Sequence, residues 1–179
     1  MAKPHLFESA PLNAARRAVL LACAGVTGVA VTGCGFELRR APDLRFRTIQ
    51  LTGFGPRSPL QDELRMNINA SSTTHVVEAL AQAQVVLEAL TDVRERVVVA
   101  TSSAGQVTEL KLNARFSFRL RSVAGKELIP QTAIMLSRDM SFTESAALAK
   151  EQEEAFLFRA MQSDIVSQVM RRLASVQNV

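Results

Sequence analysis

Thr108-Glu109-Leu110-Lys111-Leu112-Asn113-Ala114-Arg115-Phe116-Ser117-Phe118-Arg119-Leu120-Arg121 alternates side-chain character almost without a break. A period of two is the signature of a β-strand. Thr108, Leu110, Leu112, Ala114, Phe116, Phe118 and Leu120 share one side; Glu109, Lys111, Asn113, Arg115, Ser117, Arg119 and Arg121 share the other. One apolar and one charged face is the pattern of an antiparallel sheet covered on a single side. Turns flank the run at Ser102-Ser103-Ala104-Gly105 and Ala124-Gly125-Lys126-Glu127. Downstream, Leu128 to Ser141 returns as a strand anchored by Ile134 and Leu136. Pro130 has no N–H for a ladder, so this strand belongs at an edge or is irregular near its start. Upstream, Val85, Leu87 and Ala89 alternate, Arg94-Glu95-Arg96 interrupts, and Val97-Val98-Val99 resumes. That is one long strand, or two broken near Thr91-Asp92.

Helical signals bracket this β region. Phe46 to Thr52 reads as a short strand, with Ile49 and Leu51 opposed to Thr48, Gln50 and Thr52, and Gly53-Phe54-Gly55-Pro56 ends it. Ser58, Pro59 and Gln61 then supply an N-cap, a proline at the first helical position and a capping box. Leu60, Leu64 and Ile68 give one apolar face to a helix over residues 59–70, closed by Ser71-Ser72-Thr73-Thr74. The stretch 75–84 reads equally as a short strand or a helical turn. Ser141-Phe142-Thr143-Glu144 is a second capping box, and nothing breaks a helix from there to Ser175. Its stripe is Phe158, Met161, Ile165, Val169 and Leu173, with Glu151, Glu153 and Glu154 early and Arg171 and Arg172 late, as the helix dipole favours. The expected fold is an α/β two-layer sandwich: a mixed, mostly antiparallel four-stranded sheet with two helices on one face, in the order β-α-β-β-β-α.

The first 33 residues read as a leader. Arg16 and Arg17 precede an apolar run over residues 18–33, only 16 residues long, where a membrane span needs roughly 20. Val31-Thr32-Gly33-Cys34 is similar to the lipobox of bacterial lipoproteins, in which the chain is cut before a cysteine that becomes acylated. The expected organisation is a cleaved signal at 1–33, a lipidated tether at 34–45 and a single domain at 46–179. Gly35 is not the aspartate that marks inner-membrane retention in many lipoproteins, which points to the periplasmic side of the cell outer membrane. Two or more acyl chains on Cys34 give stable anchoring. Without the leader the chain keeps 18 basic and 16 acidic residues, a net charge of +2, too mild for a nucleic-acid partner. Cys23 leaves with the leader and Cys34 carries lipid, so the domain has no disulfide. His75 is the one histidine left, and Trp and Tyr are absent, which weakens metal, Ser-His-Asp and aromatic sugar-stacking readings alike. The adjacent carboxylates Asp62-Glu63 and Glu153-Glu154 point apart on helices and make poor acid–base pairs. No catalytic residue, metal ligand or cofactor site is assigned.

Charge is concentrated between Arg94 and Lys126, where seven basic residues meet two acidic ones. Such a segment suits phosphate groups, and its members Lys111, Arg115, Arg119 and Arg121 equally suit the solvated side of a sheet. Cys34-Gly35-Phe36-Glu37-Leu38-Arg39, then Arg138-Asp139-Met140-Ser141-Phe142, then Ala147-Leu148-Ala149-Lys150 with Glu151-Gln152-Glu153-Glu154 resembles the LPS-assembly lipoprotein family LptE, in motif order and in element order. The resemblance implies a non-enzymatic, lipid-anchored protein that plugs the β-barrel LptD as a heterodimer, assists its assembly and binds lipopolysaccharide during export. It carries a lipopolysaccharide-binding lysine onto Lys150, whereas a second basic position of the family falls on Ser103. Arg94, Arg96, Arg119 and Lys126 are the candidate substitutes from the basic segment, and those that do not meet ligand would meet the barrel's polar interior. The alternative function is a generic periplasmic accessory lipoprotein of another envelope assembly or secretion machine.

Overall fold

The alternating run forms the middle strand of an antiparallel meander in a computed structural model that describes residues 43–177. In chain order the elements are β1 (Thr48–Thr52), α1 (Pro59–Asn69), β2 (His75–Val76), β3 (Val85–Thr101), β4 (Val107–Ser122), β5 (Glu127–Ser141) and α2 (Ala147–Ala174). Single 3-10 turns lie at Leu80–Gln82 and Glu144–Ala146. The sheet order is β2-β1-β3-β4-β5. β3, β4 and β5 form an antiparallel meander, and β1 runs parallel to both β2 and β3. Cys34 and the leader lie outside the described residues.

The sheet therefore has five strands, where the sequence reading gave four. The ambiguous stretch 75–84 holds both alternatives, a strand and a 3-10 turn. β2 is only two residues long and is held by backbone pairing, with His75 N donating to Arg47 O at 2.9 Å and Val77 N to Ile49 O at 2.9 Å. Main-chain bonds at an edge leave no side-chain period to read.

A second correction concerns the start of α2. Ser141 is the last residue of β5, opposite Glu109, and Phe142 N still donates to Thr108 O at 2.9 Å. Ladder pairing with β4 wins over the capping box: Thr143 caps only the 3-10 turn, without a side-chain bond, and α2 begins at Ala147. At α1 the cap is present, Gln61 N donating to Ser58 Oγ at 3.3 Å.

The charged triplet 94–96 does not interrupt β3. Its first irregularity is a bulge, the register moving from Ala89↔Phe118 to Thr91↔Ser117, and two further shifts follow between Val98 and Thr101. One extra residue reverses the facing of every residue beyond it. β5 is an edge strand, and its register shifts between Thr132↔Phe118 and Ile129↔Leu120, around Pro130.

One core joins the sheet to both helices, which consequently lie on the same side of it. Ile49, Leu51, Val85, Leu87 and the apolar row of β4 pack against Leu60, Leu64 and Ile68 of α1 and Met161, Ile165, Val169 and Leu173 of α2. Phe158 sits at the margin, and the core reaches back to Leu44 and Phe46. Phe54, Phe116 and Phe118 stack in series, with centroids 5.9 and 5.7 Å apart. Each large side chain buried here contributes roughly 1.5–3 kcal/mol, which suits a domain held by packing alone.

Candidate functional site

The bulge in β3 sorts the basic segment into separate surfaces. Because Arg94 pairs with Ala114 and Arg96 with Leu112, both arginines share the side of the sheet that carries the helices. Arg94 Nη2 donates to Gln162 Oε1 at 2.6 Å, and Arg96 Nη1 meets Glu154 Oε2 at 3.3 Å, both acceptors on α2. Before the bulge, Glu88 pairs with Arg119 on the opposite, uncovered side, where the guanidinium bonds the Glu88 carboxylate at 2.7–2.8 Å and Arg121 lies 4.0 Å from it. Lys111 faces Asp139 at 3.6 Å on the same side. Arg115 there has no carboxylate partner among the described residues.

Lys126 is exposed in the β4–β5 turn, where Gly125 takes φ +90°. Lys150 lies at the other end of the sheet, beside Ser141. Twelve strand residues separate the level of Arg121↔Glu127 from that of Glu109↔Ser141, a separation of roughly 40 Å along the strand. The five candidate residues therefore do not converge. Lys150, Arg96 and Arg94 follow α2 along one side, Arg119 occupies the reverse side, and Lys126 the far end.

Lys150 is in the first turn of α2. Its Nζ donates to Ser141 Oγ at 3.0 Å and to Glu153 Oε2 at 2.8 Å, and only 18% of the side chain is exposed. An ammonium has three donors, so a third N–H remains for an acceptor. One helical turn on, Glu154 receives Arg96. The two adjacent carboxylates thus serve different cations, and the pair does no joint chemistry. Glu63 is likewise structural: Gln162 Nε2 and Ser163 Oγ each donate to it at 2.6 Å. Gln162 thereby ties β3, α1 and α2 together, a role the sequence reading did not assign.

Beside Arg94 and Arg96 runs a groove of about 390 Å³ whose other rim is Glu151, Glu154, Phe158 and Arg159 of α2. Arg159 was also missed by the sequence reading. The spacing of Glu151, Ala155 and Arg159, four residues apart, was the available signal, since it aligns them along one helix face. Ser103, at the family's second basic position, is in the β3–β4 turn closed by Ser102, whose N donates to Gln106 O at 2.7 Å. Among the described residues no helix is long and apolar enough to cross a membrane.

Comparison with known proteins bears directly on this arrangement. A curated relative, LPS-assembly lipoprotein LptE of Pectobacterium atrosepticum, is 25% identical over 156 residues, 84% of each chain. The solution NMR structure of lipoprotein B from Nitrosomonas europaea superposes with a TM-score of 0.67 at 27% identity, covering 79% of this chain and 92% of that one. The crystal structure of rare lipoprotein B from Shewanella oneidensis shares the fold, with a TM-score of 0.61 at 22% identity over 72% of this chain and 95% of its own. Residues 46–173, from the strand that opens the sheet to the last buried turn of α2, match the family described as LptE, lipopolysaccharide-assembly; the chain belongs to that non-enzymatic family.

Proposed function

We propose that this chain is a lipid-anchored outer-membrane lipoprotein that seats in the LptD β-barrel from the periplasmic side, assists assembly of that barrel and contacts lipopolysaccharide through Lys150. The observation that carries the reading is the placement of Lys150 within a domain that matches the family over residues 46–173. Its ammonium is held by Ser141 and Glu153 at the end of the sheet, with one donor left for a phosphate oxygen. Arg96, one helical turn on, is paired with Glu154 on the same side of the sheet. Arg119 and Lys126, on the reverse side and at the far end, are better placed for the polar wall of an enclosing barrel. The lipobox-like run ending at Cys34 supports the anchor, as does the name lipoprotein carried by the relatives.

Two experiments test this. Full-length protein is purified from detergent-solubilised envelopes of its host and the co-purifying proteins are identified by mass spectrometry. A near-stoichiometric LptD barrel is expected; its absence would move the chain to another envelope machine. Separately, Lys150→Glu should weaken lipopolysaccharide binding about tenfold or more, since one hydrogen bond to a charged group contributes about 1.5–3 kcal/mol. The circular dichroism spectrum should be unchanged. Equal affinity of the two proteins would remove Lys150 from the ligand site.

A further inference from the structure

We propose that the outer edge of β3, residues 93–101, docks an extended polypeptide strand that carries carboxylates along one side and apolar side chains along the other. This goes beyond lipopolysaccharide binding and uses a different surface from Lys150.

The edge is open because β1 is short. β1 pairs with β3 only from Ile49↔Val85 to Thr52↔Glu88. The chain then turns away at Gly53, and the loop that follows reaches Asp92, which accepts from Ser58 Oγ at 3.4 Å, and borders Arg94 without pairing to it as a strand. β4 meanwhile accompanies the other side of β3 as far as Thr101↔Val107. Residues 93–101 of β3 therefore have no paired strand on the β1 side among the described residues, and the loop borders only the start of that run. Alternate residues from 93 to 98 present N–H and C=O groups outward, which is a template for another strand, and register shifts between Val98 and Ala100 and between Ala100 and Thr101 make the far end irregular. The composition suits pairing: Val97, Val98 and Val99 are β-branched and 46–51% exposed.

Charge decides what kind of strand fits. Side chains of a strand laid against this edge would alternate between the two sides of the sheet. On the helix side they enter the groove lined by Arg94, Arg96 and Arg159 together with Glu151 and Glu154, three guanidinium groups to two carboxylates. Arg96 is matched by Glu154, whereas Arg94 bonds only the neutral Gln162 and Arg159 has no carboxylate partner among the described residues. Carboxylates on that side would therefore meet two unneutralised guanidinium groups. On the uncovered side the neighbours are Val93, Glu95 and Val97, which share the facing of Arg115, Asn113 and Lys111, so a carboxylate there would meet Glu95. There an apolar side chain is the better fit.

One other occupant fits less well. A second copy paired about a two-fold axis through Glu95 would set Glu95 against Glu95 and Arg94 against Arg96, like charges directly opposite, and an axis through Val98 would set Arg96 against Ala100 and bring no carboxylate to the arginines.

The test uses the full-length protein in detergent with two fluorescein-labelled nine-residue probes, one alternating Glu with Val and one alternating Lys with Val. Hydrogen exchange by mass spectrometry reads residues 93–101, and fluorescence anisotropy reads binding. The acidic probe should slow exchange across 93–101 and the basic probe should not. Added salt should weaken the acidic probe, and Arg94→Gln with Arg159→Gln should weaken it about tenfold, because rim charges steer and select a partner. Exchange elsewhere should stay as in the parent protein. No slowing with the acidic probe, equal slowing with the basic probe, or full retention in the double variant would each overturn the proposal. So would slowing without any probe accompanied by a doubling of mass, which would assign the edge to a second copy.

Discussion

Replacing Gly53 by alanine should destabilise the domain far more than the same change at Gly125, although both glycines take positive φ, +78° and +90°. The shared part of the cost is the left-handed backbone, about 1–2 kcal/mol for a residue with a Cβ. At Gly125 a Cβ meets nothing within 4 Å, so that is the whole cost. At Gly53 the same atom falls 2.2 Å from Ala89 O and 3.1 Å from Ala89 C. A carbonyl cannot swing aside as a flexible side chain can, so either the turn after β1 or the bulge of β3 must move. Releasing the pairs Leu51↔Leu87 and Thr52↔Glu88 forfeits about two net hydrogen bonds, near 1 kcal/mol each. The expected totals are about 3–4 kcal/mol for Gly53→Ala and about 1–2 kcal/mol for Gly125→Ala. At about 4 °C per kcal/mol for a domain of this size, the first should lower Tm by about 12–16 °C and the second by about 4–8 °C. Thermal melts of the full-length proteins in detergent, followed by circular dichroism, measure both. Equal losses would refute the claim that contact with Ala89, rather than backbone sign alone, makes Gly53 necessary. The site depends on the same spot, because the Ala89 bulge is what turns Arg94 and Arg96 toward α2.

Other expectations follow from single contacts. Cys34→Ala should abolish incorporation of radiolabelled palmitate and move the protein from the membrane fraction; retained label would remove the anchor. Gln162→Ala breaks the hydrogen bonds to Arg94, Glu63 and Pro59 and should cost about 1–2 kcal/mol in urea denaturation, whereas no loss would show that water replaces the clasp. Arg119→Ala breaks a partly exposed pair with Glu88, should cost at most about 1 kcal/mol, and should leave lipopolysaccharide affinity unchanged; a marked drop in affinity would place ligand on the uncovered side of the sheet.

Much of the architecture is written in local pattern. The fourteen-residue alternation in β4, the Ser58 cap with Leu60, Leu64 and Ile68, and the stripe from Met161 to Leu173 all fold as their periods require, because burying an apolar face dominates the local choice. Three features escaped. β2 has no side-chain period. The Ser141 capping box is overruled by ladder bonds to β4. The bulge after Ala89 falls beside the break near Thr91-Asp92 that the sequence suggests, but an alternation that pauses does not say how many residues are inserted, and that number decides which side of the sheet Arg94 and Arg96 occupy.

The sequence by itself determined the family, the strand–helix order around the meander, the residues of the core and the chemistry available for binding, since these depend on residue identity and spacing along the chain. Only the tertiary structure decided that Lys150, Arg96 and Arg94 share one side while Arg119 and Lys126 do not, that Gln162 joins three elements, and that β3 outruns β1 to leave an open edge. Those facts depend on register and on one inserted residue. A shift of one position along a strand inverts its facing while leaving its composition unchanged.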